Sequence, residues 1–246
     1  MLKFILLGYS RSGSSLLNFA LREHPEIEMY GELFNINEEV RQKFFHVQNI
    51  SYQDGTDAAL FLKDTVFCER DRGEKQKAVG FKIFYYDLRN DNEARKAWNY
   101  LLSQKDIHVI HLIRRNLLEC LISHKVAMQT EQWLLEKSSK TKSVEVAAFR
   151  IEPQDCRGFF ENVFAWQEWA TRSFKDHPFI TVEYEADICL AFQETMNRIH
   201  NFLLVSPYHA PMLLQKQAQK KPREQVCNYD ELKEYFQYTL FSEFFE

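Results

Sequence analysis

The chain has 246 residues, of which 45% are hydrophobic and 27% charged, and its formal net charge is −4 at neutral pH. This length and apolar content suit one α/β domain, residues 1–246, with a full hydrophobic core. The small negative charge argues against a general nucleic-acid binder, which would have a strongly basic face. The apolar runs are too short for a membrane span or a secretory signal, and the five cysteines lack metal-site spacing. We therefore expect a cytoplasmic protein with reduced thiols and no stable membrane insertion.

The chain opens with an apolar run, Leu2–Gly8, that predicts a buried strand. A loop rich in glycine and serine follows, and then an amphipathic helix predicted at Ser14–His24. Gly8 and Gly13 have the spacing of a P-loop, but Ser14 stands where a P-loop carries lysine. Because that lysine reaches the β- and γ-phosphates of a nucleotide, this loop is poorly suited to a triphosphate.

The loop nevertheless has the donors that one phosphate needs. Backbone N–H groups at the start of a helix point at an anion, and the helix dipole favours negative charge there. Arg11 adds a cation within the loop, and serine hydroxyls can donate further hydrogen bonds. The predicted anion-binding residues are Arg11, Ser12, Gly13, Ser14 and Ser15.

Further strand-like and helical patterns alternate along the chain. Strands are predicted at Ala78–Tyr86, Ile107–Ile113 and Phe179–Tyr184. Helices are predicted at Asp91–Ser103, Leu117–Glu136, Gln154–Phe174, Leu190–Leu204 and Asp230–Phe245, with a mobile polar loop at Ser138–Ser143. The alternation predicts an α/β fold, a P-loop-like three-layer sandwich in which helices flank a central parallel sheet. Ligands of such folds bind at the carboxyl ends of the strands.

A second anion site is predicted after the strand at Ile107–Ile113. This strand ends in Arg114 and Arg115, where a Walker-type enzyme would have an aspartate that binds magnesium. Arg115 and Ser123, which follows eight residues later in a predicted helix, can together bind a phosphate by charge and by hydroxyl. The pattern favours anions over a metal.

The two motifs resemble those of the sulfotransferases that use 3′-phosphoadenosine 5′-phosphosulfate (PAPS). The similarity is greatest to the carbohydrate-type and bacterial branch, which includes lipopolysaccharide- and trehalose-type members. The loop at Arg11–Leu17 resembles the 5′-phosphosulfate loop of that branch, and Arg115 and Ser123 match the pair that holds the 3′-phosphate. Weaker similarity lies at Gly80–Ile83, Val182–Glu185 and Asn228–Leu232.

The resemblance implies transfer of a sulfuryl group from PAPS to a hydroxyl, or an amine, of a carbohydrate or small natural product. The other product would be 3′,5′-adenosine bisphosphate (PAP), and no metal is implied. In-line transfer requires a base for the acceptor proton, and Glu32 matches the acidic residue that has this role in the family. Arg11 would neutralise charge on the bridging oxygen, and Lys216 would approach the 3′-phosphate or the adenine.

Several alternatives stay open. His111 and His124 are rival bases, and Lys82 either helps to bind sulfate or steady the loop, or pairs with a carboxylate. A P-loop nucleotide or small-molecule kinase would need Asp87 as its magnesium ligand. A non-catalytic nucleotide-binding module is the third functional class. The sequence does not indicate an oligomeric state.

Overall fold

The computed structural model describes residues 1–35, 56–68, 75–87, 92–133, 146–212 and 220–246. At its centre is a sheet of five strands in the order β2-β3-β1-β4-β5. The strands are β1 (Leu2–Gly8), β2 (Ile27–Glu32), β3 (Ala78–Phe84), β4 (His108–Ile113) and β5 (Phe179–Glu183). Each pair of neighbouring strands is parallel. The predicted parallel α/β architecture is therefore confirmed.

Helices connect the strands and cover both faces of the sheet. They are α1 (Ser14–Arg22), α2 (Ala58–Phe61), α3 (Asn92–Ser103), α4 (Leu117–Thr130), α5 (Pro153–Ser173), α6 (Phe192–Phe202), α7 (Pro222–Gln225) and α8 (Tyr229–Phe236). Two π-helical segments, Leu62–Val66 and Tyr184–Leu190, follow α2 and β5, and a 3-10 turn spans Ser242–Phe245. Among the described helices, none is both long and apolar enough to cross a membrane.

The apolar run of β1 is buried on both sides of the sheet. Ile5 and Leu7 pack against residues of α2, α3 and the end of α5. Phe4 and Leu6 face the other way and pack against α1 and α6. Because successive strand residues point to opposite faces, a strand covered on both sides is apolar throughout. This explains why β1 could be predicted within its observed bounds.

Some predicted elements differ from the structure. The edge strand β2 was missed because Glu28, Gly31 and Glu32 interrupt its apolar residues, and it is held by its pairing with β3. The helix predicted at Asp230–Phe245 is wrong as one element, since α8 ends at Phe236. Thr239 donates its backbone N–H and its hydroxyl to the Phe236 carbonyl, both at 2.9 Å, and so turns the chain.

The α4 helix is also shorter than predicted. It ends at Thr130 because Glu131 has a left-handed backbone, with φ of 53°. The polar loop predicted at Ser138–Ser143 and the predicted ligand Lys216 lie outside the described residues.

The sheet order places the opening loop at a switch point. From β1 the chain proceeds to β2 and β3 on one side, and β4 and β5 lie on the other side. Crevices that bind ligands form where the strand order reverses, at the carboxyl ends of the strands. The loop after β1 and the segment after β4 border this crevice.

Candidate functional site

The loop after β1 turns through two residues with left-handed backbone. Arg11 has φ of 63° and Gly13 has φ of 90°. A Cβ atom at Gly13 would lie 2.6 Å from the ring of Tyr184, so both the conformation and the space there require glycine. Gly13 precedes α1 and has no side chain to cap it. The first backbone N–H groups of the helix therefore have no side-chain cap and can bind an anion.

The loop serines have different surroundings. Ser12 is buried, and its hydroxyl donates to the Tyr9 carbonyl at 2.6 Å, which braces the loop. Ser14 is buried at the first position of α1. Ser15 is half-buried, and its hydroxyl accepts a hydrogen bond from Lys82 Nζ at 3.3 Å. Ser15 thereby joins the loop to β3.

Arg11 connects the two predicted anion sites. Its Nε donates to Ser123 Oγ at 3.0 Å, and its Nη1 donates to the Trp133 carbonyl at 2.6 Å. Burial lowers the pKa of Arg11, and the neighbouring Arg114 cation acts in the same direction. The loop after β1 and the serine of α4 are thus in direct contact, although 112 residues separate them along the chain.

The two arginines after β4 point in different directions. The Arg115 side chain is 71% exposed, and its Nε lies 3.6 Å from Glu183 Oε2. Arg114 is buried, and its Nη1 donates to the Arg11 carbonyl at 2.9 Å. Ser123, the other residue of the predicted 3′-phosphate motif, contacts Arg11, whereas the Arg115 side chain lies at the surface. The sequence analysis assigned no site role to Arg114. Glu119, five residues later, was the available sign that Arg114 has a carboxylate partner.

Glu32 is buried at the end of β2 and forms an ion pair with Lys82 of β3. Lys82 Nζ lies 2.5 Å from Glu32 Oε1, and the strand register places the two residues opposite each other. The Asn35 side-chain amide donates to the other carboxylate oxygen of Glu32. Lys82 therefore pairs with a carboxylate and also contacts the loop through Ser15, whereas its binding of sulfate stays a prediction. Lys82 thus links the candidate base to the loop at residues 11–15, which we call the anion loop.

The rival bases are enclosed by aromatic neighbours. His111 is buried, and its Nε2 lies 2.6 Å from Tyr85 Oη. Burial lowers the pKa of His111 to about 4, so the ring is neutral at physiological pH. His124 packs against Trp133, and burial and the Arg11 charge lower its pKa.

Asp87, the residue that a kinase would need for magnesium, is buried after β3. Its carboxylate accepts the Phe84 backbone N–H at 2.8 Å. Burial raises the pKa of Asp87 to about 7. Within the described parts of the chain, no three His, Cys, Asp or Glu side chains are grouped so that they could hold a metal.

Comparisons with known proteins cover nearly the whole chain. No protein-family model matches it. It is 24% identical over 251 residues to Nodulation protein H of Rhizobium tropici, covering 99% of this chain and 92% of the relative. Nodulation protein H of Rhizobium meliloti is 25% identical over 265 residues, with coverage of 99% and 94%.

A solved structure has the same fold. The sulfotransferase from Alicyclobacillus acidocaldarius superposes with a TM-score of 0.52 at 16% identity, covering 96% of this chain and 92% of that one. The likeness therefore extends through the sheet and its helices rather than being confined to the anion loop. The resemblance to sulfotransferases is therefore confirmed at the level of the fold, which this chain shares with the sulfotransferase from Alicyclobacillus acidocaldarius.

Proposed function

We propose that this chain is a PAPS-dependent sulfotransferase that transfers a sulfuryl group to a hydroxyl, or an amine, of a carbohydrate or small natural product. The observation that carries the proposal is the contact between Arg11 and Ser123, which joins the two anion sites at the ends of β1 and β4. A donor with separate 5′ and 3′ phosphates requires two such sites side by side. The sulfotransferase fold supports the same reaction.

The residues present fit this donor. The uncapped start of α1 and the side chain of Arg11 would hold the 5′-phosphosulfate, together with Ser12, Gly13, Ser14 and Ser15. Arg115 and Ser123 would hold the 3′-phosphate, with Lys216 approaching the same end of the donor. When bound, PAPS supplies an activated sulfuryl group and leaves as PAP.

In the proposed mechanism, Glu32 accepts the proton of the acceptor. Lys82 and Asn35 each bond one oxygen of its carboxylate, and so they fix its orientation. Arg11 places positive charge at the phosphosulfate end of the loop, where negative charge grows on the leaving oxygen. Glu32 thus takes up the proton and Arg11 stabilises the negative charge of the leaving group, and neither role requires a metal.

The surroundings of the base suit an acceptor with carbon faces as well as hydroxyls. Lys82 Nζ lies 5.1 Å from the centre of the Phe84 ring, and Phe84 stacks on Tyr86 at 5.3 Å. The half-buried Tyr86 packs against Tyr9 of the loop at 5.4 Å. These rings support a carbohydrate or small natural product as acceptor. The five free cysteines support a cytoplasmic location. A single domain, residues 1–246, is part of the same proposal.

Calorimetry with PAP and with ATP plus magnesium tests the donor. We expect PAP to bind at least tenfold more tightly than ATP, because the loop has Ser14 in place of lysine and has a second anion site. Chelation of magnesium should leave PAP binding unchanged. A clear preference for ATP with magnesium would instead support the kinase.

The variant Glu32→Gln tests the base. We expect kcat to fall by about 10²- to 10⁴-fold, as for loss of a general base, while the affinity for PAP changes by less than about twofold. Glu28→Gln is a matched control on the same strand, where the carboxylate accepts the Tyr30 hydroxyl at 2.6 Å. Full turnover by Glu32→Gln would reject Glu32 as the base. If the unmodified protein turns over none of a range of acceptors, that result would instead favour a binding module.

A further inference from the structure

Arg114 is a buried cation with partners in three different segments. Its Nη1 donates to the Arg11 carbonyl in the anion loop at 2.9 Å, and its Nη2 donates to Glu119 Oε2 in α4 at 2.6 Å. Its guanidinium lies 4.6 Å from the centre of the Tyr184 ring. Only the planar fork of arginine can serve the loop, a carboxylate and an aromatic face together.

The charge of Arg114 is balanced within the protein. Glu119 is one counter-ion, and Glu185 Oε1 lies 3.7 Å from Arg114 Nε. Glu185 also accepts the backbone N–H groups of Arg115 at 2.9 Å and Asn116 at 3.1 Å, which fixes its carboxylate. Because two carboxylates surround the guanidinium, its main contribution to a bound anion is orientation of the loop rather than attraction.

The bond from Arg114 determines which way one peptide group of the loop faces. The Arg11 carbonyl and the Ser12 N–H belong to the same planar trans peptide, so they point in opposite directions. With the carbonyl oxygen drawn to Arg114, the Ser12 N–H is directed away from Arg114. The left-handed conformation of Arg11 is strained for a residue with a side chain, and a fixed partner is needed to maintain it.

Arg114 also acts on the second left-handed residue of the loop. The Tyr184 ring on which it stacks is the group that a Cβ at Gly13 would meet at 2.6 Å. The ring therefore lies directly against the start of α1. Through the Arg11 carbonyl and the Tyr184 ring, Arg114 supports both turns that shape the loop.

We propose that Arg114 is a positioning residue that presets the anion loop for the 5′-phosphate of the donor. It acts through Arg11 and Tyr184, and it does not itself contact the ligand. The inference rests on the proposed function, since it assigns the loop to the 5′ end of a nucleotide. Its loss should therefore weaken recognition of a 5′-phosphate and leave recognition of a 3′-phosphate unchanged.

The test is to measure binding of two nucleotides to Arg114→Lys by calorimetry. Lysine keeps the positive charge beside Glu119 and Glu185 but cannot also donate to the Arg11 carbonyl in the same geometry. We expect the affinity for PAP to fall about tenfold, as for loss of one hydrogen bond from a charged group. The affinity for adenosine 3′-phosphate should stay within about twofold. Arg150→Lys, at an exposed ion pair with Glu231, is the matched control.

Each outcome separates this inference from the proposed function. If the unmodified protein does not bind PAP, the proposed function fails first. If it binds PAP but Arg114→Lys leaves both affinities unchanged, or lowers both equally, Arg114 does not position the 5′ site. If Arg114→Lys does not fold, Glu119→Gln decides, because it loosens the guanidinium without burying a lone charge. A selective loss of PAP affinity in that variant supports the inference, and no selective loss overturns it.

Discussion

At the scale of single residues, the ends of β2 and β3 gather ionisable groups in a buried place. Glu32 and Lys82 form an ion pair, and Asp87 lies just beyond the end of β3. Burial is the main cause of the raised pKa of Asp87, and the Glu32 charge adds to it, whereas the Phe84 N–H and the Lys82 charge oppose it. A carboxyl with a pKa of about 7 next to a proposed base is a local source of pH dependence.

The pH dependence of stability tests the environment of Asp87. Its pKa is about 7 in the folded chain, against an ordinary value of 3.8, so the folded state binds the extra proton between these values. Stability should therefore fall as the pH rises through this window, by up to about 1.4 kcal/mol per pH unit. In urea unfolding, Asp87→Asn should match the unmodified protein near pH 4 and exceed it at pH 8. A constant difference across this range would argue against the raised pKa.

At the scale of elements, the turn from β1 into α1 determines the shape of the anion loop. Its two left-handed residues, Arg11 and Gly13, are supported by Arg114 and by the Tyr184 ring. The shape of the loop therefore depends on contacts from two other segments. One is the end of β4, and the other is the π-helical segment after β5.

Two glycine substitutions should have opposite effects on stability. At Gly13, alanine would be strained at φ of 90° and would meet the Tyr184 ring, so Gly13→Ala should destabilise the protein by about 1–3 kcal/mol. Gly158 lies within α5, where a Cβ would meet no atom within 4 Å. Gly158→Ala should stabilise by about 0.5–1 kcal/mol through helix propensity. Urea unfolding measures both, and equal effects would contradict this account of the loop.

At the scale of the whole molecule, a third apolar cluster supports the helix that carries Ser123. Leu118 and Ile122 of α4 pack with Phe160 of α5 and with Phe236 of α8. Tyr9 and Trp166 pack against both this cluster and the one that contains Ile5, so they join the two. Helix α8 thus contributes to the position of the proposed 3′-phosphate site through its packing with α4.

Asn228 connects this C-terminal part to the rest of the molecule. Its side chain accepts the Ile151 N–H at 3.1 Å and donates to the Ile151 carbonyl at 2.8 Å, in a buried position. Asn228→Ala would leave both backbone groups without this partner, so we expect a loss of about 2–4 kcal/mol in urea unfolding. The exposed Asn162 of α5 is the control, since Asn162→Ala should change stability by less than about 0.5 kcal/mol. Equal behaviour of the two variants would contradict this role.

The sequence alone determined the features that depend on residues close together in the chain. The glycine spacing of the loop and the interval between Arg115 and Ser123 are local patterns, and they sufficed for the resemblance to sulfotransferases. The alternation of strand-like and helical patterns sufficed for the fold class. Helices α1, α3, α5 and α6 were also predicted close to their observed bounds, because their apolar periodicity is local.

Only the tertiary structure decided which distant residues meet. The contact of Arg11 with Ser123, the Lys82 and Glu32 pair, and the burial of Arg114 beside an exposed Arg115 follow from the strand order and register. Edge strand β2 likewise exists through its partner β3. These features depend on where separate segments pack, and the energy of burying a charge is determined by neighbours that are remote in the chain.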